Sequence, residues 1–326
     1  MAAPPQATSP TAPLSTARAW LLVVVATSTM AVSYVDRQAI AVLAPTITAD
    51  LHLSETAFGW VGSAFSVAYL VGAPLSGVLV DRVGARTALP IAVLVWSAVA
   101  AAHALVPGLA VLIALRIALG AAESPSFPSA AQTVSRVLPP ASREAGFGVL
   151  FTGSSIGAAV AAVLLPWLEV RYGWRLSLVV TAIVGLSWLP VWWLATRGAA
   201  VRRAMSTGAT PGSADDGVDW LSVATDPAVV RAVIGVIASA PINGFALQWG
   251  AKVLVGRHHV LQQDVGGYLW MPPLLFDLGA VGFGVMAAWV TRRTGSDAPH
   301  RWLFGAAAAL LMGVGGLGFG SDPWHT

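Results

Sequence analysis

The run from Trp20 to Pro45 (WLLVVVATSTMAVSYVDRQAIAVLAP) is apolar and long enough to cross a bilayer, at about 20 residues per crossing. Yet it holds Asp36 and Arg37 side by side. Each charge at the centre of an inserted helix costs about 2.5–3.5 kcal/mol on insertion scales. A simple anchor would carry leucine there. The pair therefore points to a protein-lined cavity that supplies partners for both charges, and the rest of the chain has to build it.

The same apolar pattern recurs along the chain. Spans are expected at 20–43, 57–79, 88–106, 109–134, 145–168, 176–196, 228–250, 266–290 and 302–320. Only 10% of residues are charged, against about 25% in soluble domains, so the fold class is an all-α, multi-pass membrane protein. Residues 1–17, rich in Pro, Ala, Ser and Thr, read as a disordered tail. Residues 197–226 have the Gly, Ser, Pro and charge content of a linker. Around it the sequence divides into a six-helix half, 18–196, and an incomplete half of about three helices, 227–326. Two such halves are the plan of a secondary transporter, with the substrate site between them near the midplane.

Charge fixes orientation and excludes other classes. With the N-terminus cytoplasmic, Arg171, Arg175, Lys252 and Arg257 fall outside, Arg37 and Arg116 lie in the membrane, and all the remaining arginines fall inside. That is the positive-inside bias, and the chain is expected to be multi-pass in the plasma (inner) membrane with its N-terminus cytoplasmic. The basic residues are scattered through short loops, so the net charge of +3 reflects topology and not nucleic-acid binding. The absence of cysteine excludes disulfides and thiolate chemistry. His258 and His259 lack the spacing of a helical metal site. No phosphate-binding glycine loop or nucleophile elbow occurs, so neither an enzyme nor a cofactor or metal is expected.

Arg116 and Glu123 are seven residues apart, close to two helical turns. They share one face about 10 Å apart along the axis, too far to bond each other, so each needs another partner. Tyr34 and Arg37 also share a face, and Tyr69 can add a phenol to the same cavity. An arginine holds a carboxylate bidentately and stays charged at any working pH. The alternative is that Asp36, Arg37, Arg116 and Glu123 form a closed ion-pair network. Asn243 and Gln248 can reach a substrate or bond between helices, and Asp277 is a further polar candidate. Gly153 and Gly157 read as a packing seam.

The loop Gly77-x-x-x-Asp81-Arg82-x-Gly84-x-Arg86 resembles the signature loop of the major facilitator superfamily, in its usual position after the second helix. Gly77 is expected to allow close packing, Gly84 a tight turn, and Asp81 to cap a helix or pair with an arginine. Tyr34-Val35-Asp36-Arg37 with Ala44-Pro45, and Arg116-x-x-x-Gly120-x-x-Glu123-x-Pro125-x-Phe127-Pro128, resemble the anion:cation symporter family within that superfamily. The resemblance implies a two-half helical bundle that moves a small organic anion, such as a sugar acid, together with protons, by alternating access and as a monomer. It implies that Arg37, Tyr34 and Tyr69 line the anion site and that Asp36, Glu123 and Arg116 handle the proton. Ser154 and Ser155 stand where sugar-acid members tend to carry Gln, which makes Ser154 a candidate substrate contact. The family has twelve helices, so the second half reads as truncated. A transport-incompetent fragment and an exporter of the same fold are the competing expectations.

Overall fold

The computed structural model describes residues 14–206 and 220–294. Among them there are helices and turns and no strand. Helix α1 (Thr16–Val42) opens at Ser15, whose hydroxyl accepts the Arg18 N–H at 3.4 Å. Helix α2 (Ala44–Asp50) continues it, with Pro45 in its first turn, where a missing N–H costs nothing. Ser54 caps α3 (Glu55–Val83) by accepting the Ala57 N–H at 3.2 Å. Gly84, at φ 79°, ends that helix and starts α4 (Ala85–Ala102). This left-handed conformation favours glycine, so the tight turn expected at Gly84 is present.

A 3-10 turn at His103–Leu105 leads to α5 (Leu109–Glu123) and α6 (Ser126–Val137). One span was expected over 109–134. The helix is interrupted at Ser124 and Pro125, because proline has no N–H to donate and its ring collides with the preceding turn. Helix α7 (Pro140–Ala195) is two helices joined at Gly173, at φ 77° and ψ 161°. They match the fifth and sixth expected spans. Short helices α8 (Ala199–Ala204) and α9 (Trp220–Thr225) fall within the stretch read as linker. Then come α10 (Pro227–His258), a 3-10 turn at Gln262–Asp264, α11 (Gly266–Leu269) and α12 (Met271–Thr294).

Among the described residues, five helical segments are long and apolar enough to cross a membrane: Thr16–Val42, Glu55–Val83, Ala85–Leu105, Leu109–Val137 and Pro140–Ala195. The span expected at 302–320, most of the 1–17 tail and linker residues 207–219 lie outside the described residues. The part of the tail that is described departs from expectation, since Thr16 and Ala17 are already helical. Contacts divide the chain into two compact units, Met1–Pro273 and Leu274–Thr326. In the second, the described residues are the remainder of α12.

In the first unit α1 is the central element. Of its most apolar stretch 61% is enclosed, against 17% for α3, whose Val71 and Leu75 are exposed as lipid-facing residues would be. Helix α1 packs on α7 through the expected glycine seam. A Cβ added at Gly153 would lie 2.5 Å from the Thr27 carbonyl oxygen, and one at Gly157 2.3 Å from that of Ala31. Trp96, Trp174, Trp188 and Trp192 are buried. The Trp188 indole donates to the Val25 carbonyl at 3.2 Å and to the Ser28 hydroxyl at 2.9 Å; that of Trp192 donates to the Arg86 carbonyl at 3.2 Å. These indoles find the acceptor that buried indoles usually do, whereas that of Trp96 has none at bonding geometry among the described residues.

At one end of the bundle, Asp50 accepts from Arg175 at 2.6 Å and from the Trp174 indole at 3.2 Å. The Arg175 guanidinium holds the Asp50 carboxyl below its ordinary value of 3.8.

The seam gives a direct test. Gly157→Ala places a methyl against backbone that cannot move without shifting α1, and overpacking of this kind costs about 1–3 kcal/mol. The purified protein is expected to melt several degrees lower. Gly148→Ala on the same helix, where an added Cβ meets nothing within 4 Å, is expected to leave the melting temperature unchanged.

Candidate functional site

Helices α1, α3, α5 and α10 wall a cavity of about 1290 Å³. Its lining includes Tyr34, Arg37, Tyr69, Arg116 and Gln248, brought together from four helices. The i, i+3 spacing of Tyr34 and Arg37 puts both on the same side of α1, with the guanidinium 4.6 Å from the Tyr34 ring centroid. It also lies 4.4 Å from the ring of Tyr69 and 4.9 Å from that of Phe65, both on α3.

Arg37 is tied to Glu123 by two bonds to one oxygen. Its Nη2 donates to Glu123 Oε2 at 3.1 Å and its Nε at 3.3 Å. The Ser33 hydroxyl, one turn before Arg37, donates to the same oxygen at 2.9 Å. Glu123 is fully enclosed, and its other oxygen, Oε1, has no hydrogen-bond partner among the described residues. Part of the network reading is therefore realised, as a pair between Arg37 and Glu123. Arg116 makes no ion pair with Glu123 among the described residues. Its Nε and Nη1 lack hydrogen-bond partners there, although the residue is only 1% exposed.

Asp36 departs from expectation. The adjacent charges were read as one group facing a cavity, but neighbours on a helix diverge by about 100°. Asp36 does not line the cavity. It is buried on a different face of α1, beside Trp96 of α4 and Thr181 of α7, and neither of its oxygens meets a donor at bonding geometry among the described residues. Ser154 also stands away from the cavity; its hydroxyl donates to the Phe151 carbonyl of its own helix at 2.8 Å. The side chain of Asn243 lies outside the described residues.

The signature loop is built differently from its expected packing. Gly77 has nothing within 4 Å of an added Cβ, so it makes no close helix contact among the described residues. Asp81, expected to cap a helix or pair with an arginine, accepts from Gln132 Nε2 at 3.0 Å. The same amide group donates to the Val80 carbonyl at 3.3 Å and, through Oε1, accepts the Ala85 N–H at 2.8 Å. Gln132 on α6 thus splints the end of α3 to the start of α4. Arg82 is exposed, and Arg86 is half-buried with its carbonyl taken by Trp192.

Sequence reasoning missed Gln132, Ser33, Phe65 and Lys252. Spacing could have found two of them, since Ser33 is one turn from Arg37 and Phe65 one turn from Tyr69. Lys252 on α10 pairs with Glu55 at 2.8 Å and donates to Thr48 at 3.2 Å, joining α10 to α3 and α2. Trp249 packs edge-on to Phe58 with ring centroids 5.3 Å apart. Among the described residues no three His, Cys, Asp or Glu side chains come together as a metal site would need.

A bundle of apolar helices around a cavity with a buried arginine–glutamate pair is the build of a multi-pass membrane carrier. Residues 26–326 match the family model described as Major Facilitator Superfamily, and the chain belongs to that family. The hexuronate transporter of Bacillus subtilis (strain 168) is 35% identical over 161 residues, covering 49% of this chain and 38% of that protein. The hexuronate transporter of Escherichia coli (strain K12) is 23% identical over 94% of this chain and 74% of its own length. The galacturonate transporter of Dickeya chrysanthemi is 22% identical, over 94% and 92%. In fold, the chain is similar to a bacterial homolog of the human lysosomal transporter Spinster. The TM-score is 0.69 at 19% identity, covering 86% of this chain and 63% of that one. Membership places the chain among transporters and not enzymes.

Proposed function

We propose that the protein moves a small organic anion, a sugar acid or a related carboxylate, together with protons. The observation that carries this reading is Arg37 on the cavity wall, held through two nitrogens by one oxygen of the fully enclosed Glu123. A guanidinium placed there offers its remaining N–H groups to a cargo carboxylate, and a carboxyl bonded to it links proton uptake to anion binding. The relatives named for hexuronate and galacturonate support sugar acids as the first class to test.

In this reading Tyr34, Tyr69 and Gln248 supply polar contacts to the cargo, Glu123 and Asp36 handle the proton, and Arg116, on the cavity wall, serves both the anion and the coupling. Alternating access follows from rocking of the two helical halves, 18–196 and 227–326, in a monomer in the inner membrane with its N-terminus cytoplasmic. The Lys252–Glu55 contact at one end of the cavity would break and reform in each cycle.

The test is uptake of labelled uronates, aldonates and aromatic acids into proteoliposomes holding the full chain, with and without an inward proton gradient. Accumulation of at least one uronate or aldonate, increased by external acid, is expected. Uptake of none of them would reject the reading, and proton movement opposite to the anion would make the protein an exporter.

A further inference from the structure

Arg37 and Arg116 are two cations in one low-dielectric wall, where like charges repel far more strongly than in water. Glu123 answers the first. The second has two nitrogens without partners among the described residues. What the two share is a phenyl ring: Phe65 lies 4.9 Å from the Arg37 guanidinium carbon and 4.5 Å from that of Arg116, measured to the ring centroid. Both distances are inside the roughly 6 Å reach of a cation–π contact.

The ring itself is firmly placed. Phe65 is 5% exposed, it stacks on Tyr69 with centroids 6.0 Å apart, and its carbonyl oxygen is so close to α5 that a Cβ on Gly120 would come within 2.5 Å of it.

We propose that Phe65 is a positioning residue that holds the Arg37 and Arg116 guanidiniums in place for anion binding by stacking both on one aromatic ring. The chemistry suits a site that must bind an anion and release it. A carboxylate beside Arg116 would neutralise it and compete with the cargo. An aromatic face stabilises a cation through its quadrupole and consumes none of its N–H donors. The donors stay available while the side chains stay fixed, and fixed donors bind with less ordering cost.

The proposal rests on reading the cavity as the anion site, so its test has two readouts. Phe65→Leu and Phe65→Met remove the aromatic face at similar bulk, and Phe65→Tyr keeps it. In proteoliposomes with labelled galacturonate, the two aliphatic variants are expected to raise KM about tenfold or more, the scale of one desolvated cation–π contact, with a smaller change in kcat. Phe65→Tyr is expected to stay within about threefold of the parent. The second readout needs no cargo. Phenylglyoxal modification, followed by peptide mass spectrometry, is expected to speed up several-fold at Arg37 and Arg116 in the aliphatic variants, with other arginines as internal references.

Unchanged modification rates at both arginines in folded, monodisperse Phe65→Leu or Phe65→Met would overturn the proposal. So would a Phe65→Tyr protein as impaired as the aliphatic ones. If the parent protein takes up no galacturonate, the anion-site reading is what loses support, and the phenylglyoxal rates still decide the role of Phe65.

Discussion

Arg37→Ala is expected to reduce uptake of labelled galacturonate to background and, separately, to destabilise the protein. The two losses have different causes. Uptake fails because the variant removes the one α1 cation on the cavity wall, along with the donors that a carboxylate would use. Stability falls because Glu123, with no exposure to solvent, loses the cation bonded to its Oε2. Breaking one side of a buried pair costs about 3–5 kcal/mol, since the remaining charge is left uncompensated.

The double variant Arg37→Ala with Glu123→Gln separates these effects. It removes the carboxylate that Arg37→Ala leaves uncompensated, so much of the lost melting temperature should return, while uptake stays at background. Arg37→Lys is expected to fold and to transport with a KM raised at least about tenfold. A lysine ammonium is a point charge and lacks the planar fork that spans Glu123 and a cargo carboxylate together. A double variant that transports like the parent would reduce Arg37 to a structural partner of Glu123.

The legible part of this molecule was whatever rests on period and composition. Apolar runs located the five long spans, because in lipid each backbone polar group has to be bonded within its own helix. The i, i+3 step put Tyr34 beside Arg37, and the Gly153 and Gly157 seam followed from small residues one turn apart. What failed depended on direction around a helix or on contacts between distant segments. Asp36 and Arg37 are neighbours in sequence, and adjacency concealed that they point about 100° apart around α1. Ser154 was assigned by alignment of position, while its hydroxyl is satisfied within its own turn. Gln132 and Asp81 are separated by 51 residues, and no local pattern predicts that a glutamine would be the partner. Phe65 read as one more apolar residue on an apolar helix, since a cation–π contact leaves no trace until its arginines are located.

Glu123→Gln is expected to abolish accumulation driven by a proton gradient while leaving exchange of anion for anion intact. In the parent, Glu123 Oε2 receives three donors, two from Arg37 and one from Ser33. Adding a proton to this carboxyl removes the charge that holds Arg37 and frees the guanidinium for cargo. In the proposed mechanism anion and proton would then load together, and the complex crossing the midplane would carry less net charge than the anion alone. Glutamine keeps the shape and has no charge, so Arg37 is available at every pH and no proton is carried. With one proton per anion, a gradient of one pH unit supports about tenfold additional accumulation, since one unit is worth 1.36 kcal/mol. In Glu123→Gln that pH-driven factor is expected to fall to about one. Counterflow between labelled and unlabelled galacturonate should persist, and half-saturation should lose its dependence on external pH. Ser33→Ala, which removes one donor and keeps the Arg37 pair, should retain coupling. If Glu123→Gln still concentrates galacturonate on a pH gradient, the proton travels by another carboxyl. Asp36, buried beside the cavity wall without lining it, would then be the next residue to replace.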